Sequence, residues 1–497
     1  MLIGSFFPQL LNVRALRSVV SVVYLAFALT AAAESDSLPV TTEHVGTFNG
    51  VKVEYVAAVE AIVIDDPPVR FVTTSYIRKR GAKDRPVLFL FNGGPSVSSM
   101  TLHIVGLGPK RIAVAQDVTQ PPPPPQLLDN SYTVLDVADL VFIDPAETGF
   151  SRVLDPQARE RVYSVFGDAD SVAKLIEAWS RKHGREGAPK FVLGESYGTI
   201  RAALVAERLA KTMPLEGVYL FGQAVNIVET TQRAKNIVSY PTNLPSLAAI
   251  AAYHGKADLG GRSIEQFIDD VYAWGMTEYL NALLKGNDLP ASDRQRIAKQ
   301  LQDLTGISAE YYFANELKIT KVAFARELLR DRNRIVAQYD ARYSGPAPAS
   351  GERAADPFFA AVASQEPLFA VYLEKALGVK NVKEYRASAP DTGNWKWEAT
   401  GGMVGGPFLD YDYQAALDKA FEANPRFRLA IGTGIYDLTT TIGPARYLVA
   451  QSRYPRDRVS LHQYEGGHMA YTNETALAKF AADVRALIVG TNSKRTP

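Results

Sequence analysis

No cysteine occurs among the 497 residues. That excludes disulfides, thiolate metal sites and a cysteine nucleophile together. Excess charge is missing as well. Lys and Arg number 54 against 53 Asp and Glu, a formal net charge of +1, whereas phosphate backbones call for a clustered basic surplus. Nucleic acid is therefore not expected as a partner. The sequence has no Walker loop, no Gly-x-Gly-x-x-Gly after a strand and no His-x-x-x-His pair. Nucleotide and zinc chemistry lack a motif, and we expect no metal and no other cofactor. Histidine is scarce, with six residues in all, so the candidates for a general base are few.

What is present is ordinary for a folded protein: 47% hydrophobic and 22% charged residues. Such a length implies two to four units, or one large domain with an insertion. Residues 1–33 read as an export signal: Arg14 and Arg17, an apolar stretch over 19–29, then Ala31-Ala32-Ala33. The apolar segment 18–33 is shorter than the ~20 residues a spanning helix needs. Cleavage is the expectation, with no membrane span afterwards. An exported chain without cysteine suits a bacterial periplasm, or secretion from a bacterium, since disulfides are common on eukaryotic secretory routes.

Residues 43–78 read as hairpin strands turning at Asn49-Gly50. Val87-Leu88-Phe89-Leu90-Phe91 is a continuous apolar run, as a strand buried on both faces requires. Strand runs at 140–143, 190–193 and 218–221 alternate with helical spacing at 168–179 and 200–210. This is the α/β pattern. Past residue 226 strand signals fade, and helices are predicted at 264–279, 293–304 and 323–337. Strands return at 428–431 and 458–463, and a helix over 476–488 closes the chain. We expect an α/β core in two parts, 34–226 and 399–497, interrupted by a mainly helical cap over 227–398. Pro121 to Pro125 read as a stiff, extended surface loop.

Gly194-Glu195-Ser196-Tyr197-Gly198 is the one Gly-x-Ser-x-Gly in the chain, and it falls between a predicted strand and a predicted helix. A nucleophile elbow needs that context, because its serine sits on a tight turn where larger flanking side chains collide. A serine hydroxyl is a weak nucleophile and requires a base. The order Ser, then Asp or Glu, then His leaves His462 and His468. His468 follows Gly466-Gly467 in a turn, whereas His462 lies within a strand run and reads as structural. Asp437 lies just past a predicted strand, 31 residues before His468; a plain loop or helix-cap acid is the alternative reading. The N–H of Tyr197, directly after the serine, is nominated by elbow geometry for an oxyanion hole.

Several motifs then occur in one order. They are Asn92-Gly93-Gly94-Pro95-Ser96, Phe142-Ile143-Asp144-Pro145 with Thr148-Gly149-Phe150-Ser151, the elbow, Tyr436-Asp437 and Gly467-His468-Met469. Together they resemble the serine carboxypeptidase family of α/β hydrolases, and Gly194 through Arg201 resembles its bacterial branch. The resemblance implies an α/β-hydrolase fold with a mostly parallel sheet, and a serine-type carboxypeptidase acting on peptides. It implies Ser196 as nucleophile, His468 as base, Asp437 as orienting acid, and the N–H of Gly94 as second oxyanion donor. It places Asn92, Gly93, Glu195 and Met469 at the substrate, with Asn92 and Glu195 reading its terminal carboxylate. Better-known eukaryotic members also use a Trp and a second Glu, where this chain has Leu90 and Gly106. Ser96 and Glu147 stand where the family usually has glycine. Arg201 is a candidate cationic reader of the carboxylate, against the plainer reading of a helix-surface arginine. An esterase or acyltransferase on the same triad, and an inactive peptide-binding homologue, are the competing readings.

Overall fold

The computed structural model describes residues 38–349, 355–397 and 412–490. The export signal read at 1–33 lies outside them. Nine strands form the main sheet: β1 (Val40–Phe48), β2 (Val51–Asp65), β3 (Pro68–Arg78), β4 (Val87–Phe91), β5 (Asp139–Ile143), β6 (Lys190–Glu195), β7 (Gly217–Phe221), β8 (Arg428–Gly434) and β9 (Val459–Tyr464). Their spatial order is β1-β2-β3-β5-β4-β6-β7-β8-β9, with the short pair Arg152–Val153 added to β3. Strands β1, β2, β3 and β5 pair antiparallel, and every pairing from β5 to β9 is parallel.

The local causes are those the sequence suggests. Asn49 and Gly50 both take positive φ, which the tight β1–β2 turn requires. Every residue of β4, β5, β6 and β7 is buried, which is why these strands read as unbroken apolar runs instead of alternating. One face is covered by α1 (Val165–Lys182) and α2 (Tyr197–Leu209), whose apolar stripes pack with Phe89, Val192 and Leu220. On the other, the closing helix (Glu474–Val489) packs Phe480 and Val484 with Leu193, Phe221 and Tyr464. The fold is that of the α/β hydrolases. Its strand order reverses where β4 lies between β5 and β6, and the loops leaving the strand ends there form the natural crevice.

Between β7 and β8 the chain is mainly helical. Helices α3 (Ser239–Tyr253), α4 (Ile264–Trp274) and α5 (Ala291–Thr305) enclose their own apolar cluster around Leu247, Ile268 and Leu301. That cluster also takes in Ile435, Tyr436 and Leu438 from the loop after β8. The helix expected over 323–337 is shorter than its spacing implied. It runs only Lys321–Glu327; a short 3-10 turn, Arg330–Arg332, follows and ends at Asn333 in the left-handed region. Arg334–Val336 then pairs with Ser344–Pro346 as a small hairpin. Strand pairing outweighs helix periodicity there. No helix among the described residues is long and apolar enough to cross a membrane.

Candidate active site

Ser196 occupies the single residue between β6 and α2, with φ 57° and ψ −127°. Such a conformation costs a non-glycine residue about 1–3 kcal/mol and persists only where surroundings over-determine it. Here its N–H donates to the Phe221 carbonyl at 2.9 Å. The flanking glycines are sterically obligatory. A Cβ on Gly194 would lie 2.1 Å from the Gly198 carbonyl oxygen, and one on Gly198 would lie 2.9 Å from the Asn92 carbonyl oxygen. Ser196 is half-buried among fully buried neighbours, at the positive end of α2.

His468 and Asp437 meet from separate loops. His468 Nδ1 lies 2.8 Å from Asp437 Oδ2. A neutral ring therefore holds its proton on Nδ1, and Nε2 is left as the base. Asp437 is fully buried, and its oxygens accept from the Thr439 and Thr440 hydroxyls and from both their backbone N–H groups. Burial alone would raise its carboxyl, but the His468 charge and these hydrogen bonds outweigh it and hold the group below its ordinary value. Burial would likewise lower His468, and the Asp437 carboxylate reverses that, leaving the imidazole above its ordinary value. The other five histidines serve elsewhere. His462 on the edge strand, for example, lies 2.8 Å from Ser460 Oγ and 3.2 Å from Asp483 of the closing helix.

The loop after β4 closes on the elbow. A Cβ on Gly93 would lie 2.6 Å from both the Tyr197 nitrogen and the Glu195 carbonyl oxygen, so only glycine fits this approach. Gly94 has φ +109°. The backbone donors of Gly94 and Tyr197 thus belong to two segments packed directly together. Two buried side chains and one backbone segment hold this loop. Asp144 accepts from the Ser99 N–H and hydroxyl, and burial pushes its carboxyl up to about 6. Arg201 is completely buried, bonded to Asp168 at 2.7 Å and to the carbonyls of Asn92 and Pro95 at 2.8 Å each. It is neither a surface arginine nor free to read a substrate; it fastens the loop. Residues 386–389 complete the brace by backbone bonds with Ser96, Ser98 and Gly149.

Glu195 and Asn92 lie side by side, both buried. Asn92 Nδ2 donates to Glu195 Oε2 at 2.5 Å, while its Oδ1 accepts from the Leu102 N–H. Tyr471 donates its hydroxyl to the same Glu195 oxygen at 2.7 Å. Burial pushes the Glu195 carboxyl up to about 7, against the opposing pull of His468 and Tyr471. Tyr471 was not legible as a site residue, although it sits only three positions after the base. It borders Gly106, whose added Cβ would meet the Tyr471 ring at 3.6 Å. An added Cβ there is in ordinary contact with the ring, and the Tyr471 hydroxyl supplies Glu195 with a hydrogen bond. Glu147, at φ 65°, does not face the serine: it accepts from the Val153 N–H and pairs with Arg386 at 2.6 Å. Ser96 and Met469 are buried, Met469 within the apolar cluster that also holds Tyr471. Among the described residues no group of three or more His, Asp and Glu could hold a metal ion.

Residues 73–228 match the model of the serine carboxypeptidase family, which takes in the Gly-Gly-Pro loop and the elbow. No curated protein matches the chain significantly. Among solved structures, Kex1, a prohormone-processing carboxypeptidase from Saccharomyces cerevisiae, is similar at 13% identity over 88% of this chain and 91% of its own, with a TM-score of 0.49. An esterase from Pyrococcus furiosus is similar at 9% identity over 88% and 91%, with a TM-score of 0.33.

Proposed function

We propose, from a match of residues 73–228 to the serine carboxypeptidase family model in an α/β-hydrolase fold, an exported serine-type carboxypeptidase. It removes C-terminal residues from peptides in the bacterial periplasm or after secretion. Ser196 attacks the scissile carbonyl while His468 Nε2 takes its proton. Asp437 holds the ring and stabilises the imidazolium. The N–H groups of Gly94 and Tyr197 receive the oxyanion, each worth roughly 10²–10³ in turnover. The imidazolium protonates the leaving amine, and water activated by the same base releases the acyl group from Ser196.

The observation that carries this reading is the buried Asn92–Glu195 pair adjoining the nucleophile. A carboxylate donates to another carboxylate only while protonated, and burial keeps Glu195 protonated up to pH about 7. The second amide hydrogen of Asn92 supplies a further donor. Productive chemistry needs neutral His468 with protonated Glu195, so kcat/KM for free-acid peptides is bell-shaped. Gly106, which contributes no second acid, favours the alternative of an esterase or acyltransferase using the same three residues.

The test compares the chain from Glu34 with its Ser196→Ala variant on matched peptides bearing free or amidated C-termini, followed by mass spectrometry from pH 4 to 8. Stepwise shortening of free-acid peptides alone supports a carboxypeptidase. Hydrolysis of a simple ester with neither peptide shortened transfers the assignment to the esterase.

A further inference from the structure

Four consecutive residues of the helical insertion, 338–341, run between the acid loop and the base loop and bond to both. On the acid side, the Leu438 N–H donates to the Gln338 carbonyl at 3.0 Å, and the Ala341 N–H to the Tyr436 carbonyl at 2.9 Å. These two bonds flank Asp437. On the base side, the His468 N–H donates to the Tyr339 carbonyl at 2.5 Å. The neighbouring Gly467 N–H donates to the Asp340 carboxylate at 3.0 Å.

The contact is close enough to dictate sequence. A Cβ on Gly467 would lie 2.0 Å from the Tyr339 carbonyl oxygen, and one on Gly434 would lie 1.9 Å from the Gly467 carbonyl oxygen. Three backbones are therefore stacked without room for a side chain. The Tyr339 ring stands edge-on to the His468 imidazole, with centroids 5.1 Å apart.

The strap is itself held rigid. Asp340 is fully buried, and Arg342 grips it through Nε at 3.0 Å and a terminal nitrogen at 2.7 Å. Arg342 lies over the Tyr436 ring, 5.4 Å from its centroid. Asp356 accepts from the Gln338 and Tyr339 N–H groups, and His254 Nε2 lies 2.7 Å from the Ala341 carbonyl. A buried carboxylate whose oxygens serve one arginine and one catalytic-loop amide is a fixed point, and hydrogen bonds to such charged acceptors are the strong ones.

We propose that Asp340 is a positioning residue for His468, and that the helical insertion sets turnover through the strap it anchors. The inference rests on Ser196, Asp437 and His468 acting together; it does not depend on which substrate they cleave. Asp340 touches neither substrate nor reacting atoms. It fixes the Gly467 peptide, and so the direction in which the next side chain points.

The test uses the chain from Glu34 and its Asp340→Ala and Asp340→Asn variants. Substrates are a simple ester and a free-acid peptide, with melting temperature measured alongside. Small misplacements of a catalytic group cost up to ~10²-fold, so Asp340→Ala loses about 10–100-fold in kcat on every substrate the parent cleaves, with KM within about twofold. Asp340→Asn keeps the shape and one acceptor, and falls between. The low-field proton resonance of the His468 Nδ1–H broadens in the same order. Values of kcat within about twofold of the parent in both variants, or a loss confined to KM, would overturn the proposal. So would a loss that vanishes when each protein is assayed equally far below its own melting temperature. If Asp340→Ala does not fold, the ordering of parent above Asp340→Asn in kcat decides alone. Failure of the parent on peptides, with esters still cleaved, refutes the carboxypeptidase assignment and leaves this test intact.

Discussion

Tyr471→Phe removes one hydroxyl and nothing else. That hydroxyl donates to Glu195 Oε2 at 2.7 Å, on the same oxygen that accepts from Asn92. The bond favours the ionised carboxylate, since a phenol donates most strongly to a full charge. Hydrogen bonds to charged groups are worth about 1.5–3 kcal/mol, and about 1.4 kcal/mol corresponds to one pH unit. Losing the bond therefore keeps Glu195 protonated about one to two pH units higher than its present value of about 7. In the proposed carboxypeptidase protonated Glu195 is the form that binds a terminal carboxylate, so KM for free-acid peptides stays low to higher pH. The assay is KM against pH from 5 to 9 for a free-acid peptide and for a simple ester, in parent and variant. The peptide profile breaks near pH 7 in the parent and above pH 8 in Tyr471→Phe, while the ester profile is alike in both. A break that stays put or moves down would refute the placement of Tyr471 in carboxylate recognition. A parent profile without any break for the free acid would refute the role of Glu195.

Two further outcomes follow from buried charge. Glu195 titrates at about 7 in the folded chain against an ordinary 4.5, so the folded state holds the extra proton between those values. Its stability is fully present below pH about 4.5 and is lost as pH rises through 7, by about 3 kcal/mol in all. Glu195→Gln removes that slope, and urea unfolding at pH 5 and 8 checks it; an unchanged slope contradicts the burial effect. Arg201→Leu strands the Asp168 carboxylate and releases two carbonyls of the Gly-Gly-Pro loop, destabilising by about 3–5 kcal/mol. Its residual activity falls equally on esters and free-acid peptides, and a loss restricted to free acids would restore Arg201 as a substrate reader.

Much of the fold was legible because its causes are local. A strand buried on both faces has to be continuously apolar, as 87–91 is, and an elbow has to place glycine around its serine. The same locality misled at 323–337, where helical spacing persists but Asn333 and a hairpin partner eight or more residues away decide otherwise. Arg201 shows a different failure. Its helix reads as amphipathic, yet α2 is covered on nearly every side, and no periodicity reports what a buried guanidinium will touch.

The candidate site divides along the same line. Ser196 and the glycines around it were legible in the sequence, because the elbow motif states its own backbone geometry, whereas Asp437 and His468 were candidates by chain order, with a plain loop acid as the alternative for Asp437. Tyr471, Asp340 and Thr440 carry no such mark. The roles of Tyr471 and Asp340 come from contacts between segments far apart in the chain, Tyr471 with Glu195 across 276 positions and Gly467 with Asp340 across 127, and Thr440 acts on Asp437 in a turn that no motif announces. The sequence by itself determined which groups can do chemistry. Only the tertiary structure decided their charge states and their supports, since desolvation and hydrogen bonding depend on what distant residues bring within about 3 Å.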